Sequence, residues 1–572
     1  MVMIFTFFLI AYSESPSGIL FQALSDELNR NISELWLEGQ EKPYYLSFRV
    51  LDSKGIEIKA SLGGLLYSND FQDRHLYVDL RVGGYQLDNS NFVCEASGFS
   101  VIESYETSLP IEDDYFALRQ AIWLVTDGTY KRALDKIARK RAYLKNRETT
   151  DTIFDFCVVK PYEIIEPIPK LDFNKTKLNQ TVVGISRIVQ NLPSVFESSV
   201  ILKGNVSVQY FLDSEGAKSV RADKFYTLDI QAKARGQDGE IIEDFIGFYT
   251  KNGELDFAEI EKNLHPWAET LLLKTKLGKT EGYSGPVLFL GQASCELFFQ
   301  ILGKGVSDVR QPIFESEMLK RNIVKQNLGI LSGRLGKKVT PNFISVFDDP
   351  NMKNYEGIPL LGSFSVDDQG VRAERVELVK EGKLVGLLMS RAPTDKIKAS
   401  NGHARYANET YGPRYIGFVG NLIIGSTKRV SDSELFTKFK ELIRDYGNSY
   451  GIVITKLEPT RVESERARYQ RLYNLPNKSI PLLSPPINVY KMDLNTGALE
   501  LIKGFEFSQV TPRILRDIVV TGEKDFVYNF IYNDPYGNKF PVSVVAPAVL
   551  IEEVDLIPGE TKTTRAPFLS RP

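Results

Sequence analysis

The chain has 572 residues, 43% of them hydrophobic and 25% charged, and a formal net charge of −3. It is too long for one core, so two or three domains are expected, and its near-neutral balance argues against a nucleic-acid or acidic-substrate partner. Three histidines (His75, His265, His403) and three cysteines (Cys94, Cys157, Cys295) are so widely spread that no zinc-finger spacing and no disulfide framework exist, which leaves free buried thiols as the expectation.

The opening residues, MVMIFTFFLIAYSES, hold an apolar run from Val2 to Tyr12. A membrane span takes about 20 apolar residues, whereas this run has the length of a secretory signal's core. A signal peptide over 1–13 and an exported protein (periplasmic or extracytoplasmic) are therefore expected, although no Lys or Arg precedes the run. Without a signal, the run would be a buried first strand of a cytoplasmic protein. No later stretch reaches membrane-spanning length.

Gly18 to Leu35 carries Ile19, Ala23, Leu24, Leu28 and Ile32 at helical spacing. Three alternating runs, 44–51, 56–63 and 75–83, predict antiparallel strands of a sheet with one wet face. A helix is expected from Asp113 to about Arg147. Its second half, KRALDKIARKRAYLKNR, is strongly basic but has no aromatic interleaving, so it reads as a solvated face and not as a nucleic-acid surface. Strands follow at 206–212, 225–234 and 241–250. Asp256 with Glu259 three residues on predicts a capping box opening a helix striped by Ile260, Leu264, Trp267 and Leu271. His265, just before Pro266, is read as structural.

The segment 277–285, LGKTEGYSG, is the expected boundary between an N-terminal α+β domain (14–280) and a C-terminal β-rich domain (281–572). The latter is expected as a twisted, wrapped or barrel-like sheet of short strands, giving an α+β protein overall. The Pro- and Thr-rich tail from Pro558 is placed on the surface. The GKT at 278–280 lacks the upstream glycine of a phosphate loop, since Leu273 stands there, and no GxSxG is present. Asp348-Asp349 and Asp367-Asp368 sit at strand ends before Pro or Gly, where Asp favours turns.

The stretches GPVLFLGQAS, LGKKVTPNFISVFDDP, GSFSVDDQGVRAERVELVKEGKLVGLLMSR and SNGHARY resemble the TldD/PmbA family, also labelled peptidase family U62 or modulator of DNA gyrase. NKFPVSVVAPAVLIEEV is similar to that family's last strands, and LSFRV, LYVDLRVG and GISRIVQNLPSVFES extend the resemblance more weakly toward the N-terminus. The resemblance implies the two-domain fold above and zinc-dependent hydrolysis of unfolded peptides by TldD-type members paired with a zinc-free PmbA (TldE)-type partner. The zinc-bearing members carry HExxxH on a helix. Its counterpart here is Phe299-Gln300-Ile301-Leu302-Gly303-Lys304, and the third ligand, a cysteine near the chain end, would fall around Asn533. Phe299 has no lone pair for a metal, Lys304 brings a cation, and Gln300 is no general base. Neither zinc nor another cofactor is therefore expected.

Leu297, Phe298, Ile301 and Leu302 give the 295–305 helix an apolar face, and Gly303–Gly305 is expected to end it with one glycine in the left-handed conformation. Either this helix merely packs, or Glu296 and Gln300, four apart, line a peptide groove. Asn401, His403 and Arg405 of SNGHARY and the strand-end Arg391 are further candidates for holding peptide, the alternative for the loop being a histidine satisfied by backbone. The resulting expectation is a metal-free PmbA-type member that binds extended peptide by strand addition, or supports a zinc-bearing TldD-type partner, or pairs with itself as a homodimer. A peptidase using unrecognised groups and a purely structural assembly protein are the other two readings.

Overall fold

The structure, a computed structural model, describes residues 18–94, 105–146, 153–278, 280–307, 309–321, 327–408, 412–459, 481–534 and 536–559. The signal-like run Val2–Tyr12 and the end of the Pro/Thr-rich tail lie outside the described residues. The protein is α+β, as the sequence pattern implies.

The first sheet is a set of long antiparallel strands. β1 (Pro43–Ser61) pairs with β2 (Gly64–Val82) and with β3 (Val195–Asp213); β4 (Lys218–Arg235) pairs with β3, and β5 (Ile241–Lys251) with β4. The two runs expected as separate strands, 44–51 and 56–63, are one strand. Asp52 to Gly55 is not a turn, because β2 and β3 both pair through it. Gly55 serves a close approach: a Cβ there would lie 2.3 Å from the Gly204 carbonyl oxygen.

Alternation along these strands sorts the residues. Leu46, Phe48, Val50, Ile56 and Ile58 are buried against helices, and Leu202, Leu228 and Ile230 continue that face. α1 (Gly18–Glu34) and α2 (Tyr115–Asn146) cover one half of it, α3 (Lys175–Gln190) and α4 (Phe257–Lys274) the other. The opposite face carries Arg49, Tyr77, Gln209 and Arg221, and it is left to bound a cavity. α4 is capped by Asp256, which accepts from the Ala258 and Glu259 amides. Glu259 does not complete a capping box: its side chain accepts from Asn263.

A linker at 275–282 leads into β6 (Tyr283–Phe289), a strand of the second sheet, which has twelve strands of mixed direction. That sheet is open, running from Lys383–Leu384 at one end to Leu499–Ile502 at the other, so the barrel-like expectation resolves to a twisted sheet without closure among the described residues. After β6 comes α5 (Gln292–Phe298). Further on are β7 (Ile344–Asp348), β8 (Asn421–Ser426), α6 (Asp432–Asp445), β9 (Tyr450–Leu457) and β10 (Pro486–Asp493). A long hairpin of β11 (Ile518–Asn533) and β12 (Lys539–Pro558) completes the sheet, with β12 between β6 and β8.

The run KLVGLLMSR, 383–391, whose last residue is the strand-end Arg391, reads as one strand in sequence, but the strand stops at Leu384. Beyond it, side chains replace the ladder. Asn401 accepts from the Met389 amide and donates to the Leu387 carbonyl, and Gln369 accepts from the Arg391 amide. The halves are tied by buried charge. Asp244 of β5 accepts from Trp267 and ion-pairs with Lys274 and, across the junction, with Lys456 of β9, both at 2.6 Å. No helix among the described residues is long and apolar enough to cross a membrane.

Candidate functional site

β6 leads through Leu290 and Gly291, the latter with φ 55°, into α5, which continues as a π-helical turn over Phe299–Gly303. Turns of this type recur at functional sites because they re-aim the side chains they carry. Gly303 and Gly305 do not take the left-handed conformation expected of them. They are instead places where a side chain would not fit: a Cβ at Gly303 would meet Phe299 and Val419 at 3.2 Å, and one at Gly305 would meet Leu331 at 2.7 Å.

Every residue from Ala293 to Gly303 is buried. The Phe299 ring meets Phe530 edge-on at 4.9 Å and Tyr532 at 5.5 Å, with Phe418 beyond at 6.3 Å. Lys304 lies 5.8 Å from the Tyr532 ring centre. Gln300 donates to Glu296 and to the Ser484 hydroxyl, both at 2.8 Å, and accepts from the Ser484 amide. Burial pushes the Glu296 carboxyl up to about 7, although Gln300, Lys304 and Tyr528 pull it down. Glu296 and Gln300 are thus brought to each other and to Ser484, and neither lines the cavity.

The 299–304 turn offers a phenyl ring, a carboxamide already engaged on both atoms, and an ammonium, so its donor chemistry does not fit zinc. No group of three or more His, Cys, Asp or Glu suited to a metal ion occurs among the described residues. Asn533 does not converge on this helix either. On β11, Phe530 and Tyr532 pack against Phe299, while Ile531 and Asn533 face the cavity.

That cavity, about 720 Å³, lies between the polar face of the first sheet and residues 361–364, Asp368, Arg405, Tyr406, Asn408, Ile531, Asn533 and 537–541. Its charged wall is built from distant segments. The Gln209 carboxamide oxygen accepts from Arg49 at 3.1 Å and Arg221 at 3.3 Å. Asp368 ion-pairs with Arg221 at 3.3 Å and with Arg49 at 4.0 Å, and accepts from the Tyr406 amide. These two cations, with Arg405, hold its carboxyl below the usual range against the effect of burial. The Arg49 guanidinium sits over the rings of Tyr77 and Tyr406, at 4.2 and 4.5 Å. Lys251 is matched by Asp223 at 3.0 Å.

Of the six residues singled out from the sequence, Arg405 alone lines the cavity, where it stacks on Phe364 at 3.6 Å. His403 is fully buried behind it. One ring nitrogen faces Asp348 at 3.1 Å and the other the Asn401 carbonyl at 3.0 Å, so neither is free for a ligand. Asn401 braces the 387–389 backbone. Arg391 is a buried clamp between the halves, donating to the Cys157 carbonyl and ion-paired with Glu215 at 2.7 Å. The aspartates divide: Asp349 and Asp367 accept turn amides as expected, whereas Asp348 and Asp368 are buried partners of His403 and the arginines. Arg49, Gln209, Arg221 and Tyr406 were not singled out from the sequence. The signal for the first three was their place on the polar side of alternating strands.

Residues 313–472 match the family described as the PmbA/TldA metallopeptidase C-terminal domain. A protein named metalloprotease from Archaeoglobus fulgidus is 38% identical over 82 residues, 14% of this chain and 18% of that relative. The chain thus matches about a fifth of the length of such curated relatives. Two solved structures share the fold over 94% of this chain and 100% of theirs, both with a TM-score of 0.55. One is TldE from Thermococcus kodakarensis, 12% identical; the other is a candidate modulator of a DNA gyrase from Thermotoga maritima, 16% identical.

Proposed function

Since this chain belongs to the TldD/PmbA metallopeptidase family, we propose that it is a metal-free member which binds extended peptide beside a zinc-bearing relative, or as a pair of its own copies, without cutting it. The observation that carries this reading is the aromatic seal around Phe299, where zinc-bearing members keep histidine. A phenyl ring packed against Phe530 and Tyr532 leaves neither a donor atom nor room for an ion. What remains is the adjoining cavity, whose volume falls in the usual range of ligand sites, about 300–1,000 Å³. Backbone pairing along an exposed strand edge supplies affinity that needs no catalytic group. The apolar run Val2–Tyr12 supports placing this binding outside the cytoplasm.

The test is elemental analysis and peptide digestion with the purified full chain, alone and mixed with an HExxxH-bearing relative. Peptide binding without cleavage, with cleavage appearing or rising on mixing, is the expected result. Stoichiometric zinc and chelator-sensitive cleavage by the isolated chain would overturn the proposal. Neither binding nor any effect on the relative would favour the structural reading.

A further inference from the structure

The cavity wall holds a charge imbalance that the protein does not itself resolve. Three guanidinium groups, those of Arg49, Arg221 and Arg405, share the single carboxylate of Asp368. The neighbouring acids are committed elsewhere: Asp367 to the amides of Gln369, Val371 and Ala404, Asp348 to His403, and Asp223 to Lys251.

Arg405 is the group left over. It is 6% exposed, its Nε has no hydrogen-bond partner, and Asp368, Asp367 and Asp348 act on it through charge alone, with no hydrogen bond. Its contact is the face of Phe364, and burial draws its guanidinium down to about 10. A buried cation with no ion-pair partner of its own, left only a distant share of the Asp368 carboxylate, is costly, and a ligand's carboxylate would complete it. Three more buried polar groups on the same wall lack partners: the Arg49 Nε, the Gln209 Nε2 and the Tyr406 hydroxyl. All four can donate, and what such donors lack is an acceptor. Apolar side chains of Leu51, Phe225 and Phe540 line the same cavity, which suits an organic ligand better than a bare inorganic anion.

We propose that the cavity receives a carboxylate of an extended peptide and that Arg405 is the residue that holds it. This rests on the peptide-binding reading above and adds the chemistry the peptide must carry. The carboxylate is either the free C-terminus or an acidic side chain; a planar guanidinium binds both through the same fork.

The test uses the full chain and three fluorescein-labelled hexapeptides of Ala and Val: one with a free C-terminus, its C-terminal amide, and an amide with one internal Asp. Fluorescence anisotropy is expected to show at least tenfold tighter binding of the free acid or of the Asp peptide than of the plain amide, the tighter one identifying the source. N-acetylglycine is expected to compete away that preference in the native chain. Arg405→Gln should bring the acid to the level of the amide, Arg405→Lys should restore part of the difference, and the Tm of Arg405→Gln should not fall.

Equal binding of all three peptides, or a preference that survives Arg405→Gln, would overturn the proposal while leaving peptide binding intact. If no peptide binds but N-acetylglycine raises the Tm of the native chain and not of Arg405→Gln, the carboxylate site stands and the peptide reading fails. Silence from every probe, or a lowered Tm in Arg405→Gln, would overturn the proposal too.

Discussion

One strand, Ile518–Asn533, divides two environments of opposite character. On one side Phe530 and Tyr532 close over Phe299, and the helix beneath is buried from Ala293 to Gly303. On the other, Ile531 and Asn533 look into a cavity bordered by guanidinium groups, some of whose donors have no partner. On the proposed reading, the contrast is between a metal site turned into core and a polar cavity that is kept. Replacing metal donors by apolar side chains converts a site into core, with the ordinary energetics of burial. A wall of unmatched donors has no such internal solution, and its cost persists until a ligand arrives.

If the helix side is core, the largest effect belongs there. Phe299→Ala should lower stability by about 3–5 kcal/mol in chemical denaturation, the usual range for emptying a large aromatic site. A loss below about 1 kcal/mol would mean that the ring does not seal the site.

Glu296→Gln comes next and depends on pH. The folded carboxyl is raised to about 7 from its ordinary 4.5, so folding favours the protonated form. The stability it contributes is fully present below pH 4.5 and is lost as pH rises through 7. The variant's stability relative to the native chain should therefore improve by about 3 kcal/mol between pH 4 and pH 8. A pH-independent difference would place Glu296 in contact with water.

Gly303→Ala should cost about 1–3 kcal/mol, because the new methyl group presses on Phe299 and Val419. On the cavity side, exposed Lys539→Ala should change stability by less than about 0.5 kcal/mol. It should nevertheless soften the salt dependence with which an acidic peptide binds. The smallest expected effect is none: Gln300→Glu alone should produce no peptide hydrolysis, because no imidazole accompanies it.

The legible parts of this protein were those governed by near neighbours in sequence. α1 and α2 followed from apolar spacing, and the Asp256 cap from an acceptor placed next to free amides. α6 carries a comparable local signal, Ser431 accepting from the Glu434 amide, yet it lay unremarked in a region that reads as strands. Gly55 invited a turn and is a crossing point, since no local pattern announces that another backbone will pass within contact of a Cα. Residues 385–391 read as strand because they are apolar. Their backbone is satisfied by the Asn401 side chain, a partner that alternation does not encode.

From the order of its residues alone, the chain settles that no imidazole stands at 299–304 and that its long strands have a wet face, because donor atoms and polarity belong to each side chain wherever it lies. Only the tertiary structure decides that Arg49, Gln209, Arg221 and Arg405 meet around one cavity, and that Glu296, Gln300 and His403 do not join them. Those juxtapositions arise from strand pairing across long stretches of chain and from which face of each strand is left without helices. The charge excess at Arg405 is a property of that assembly and of no segment within it.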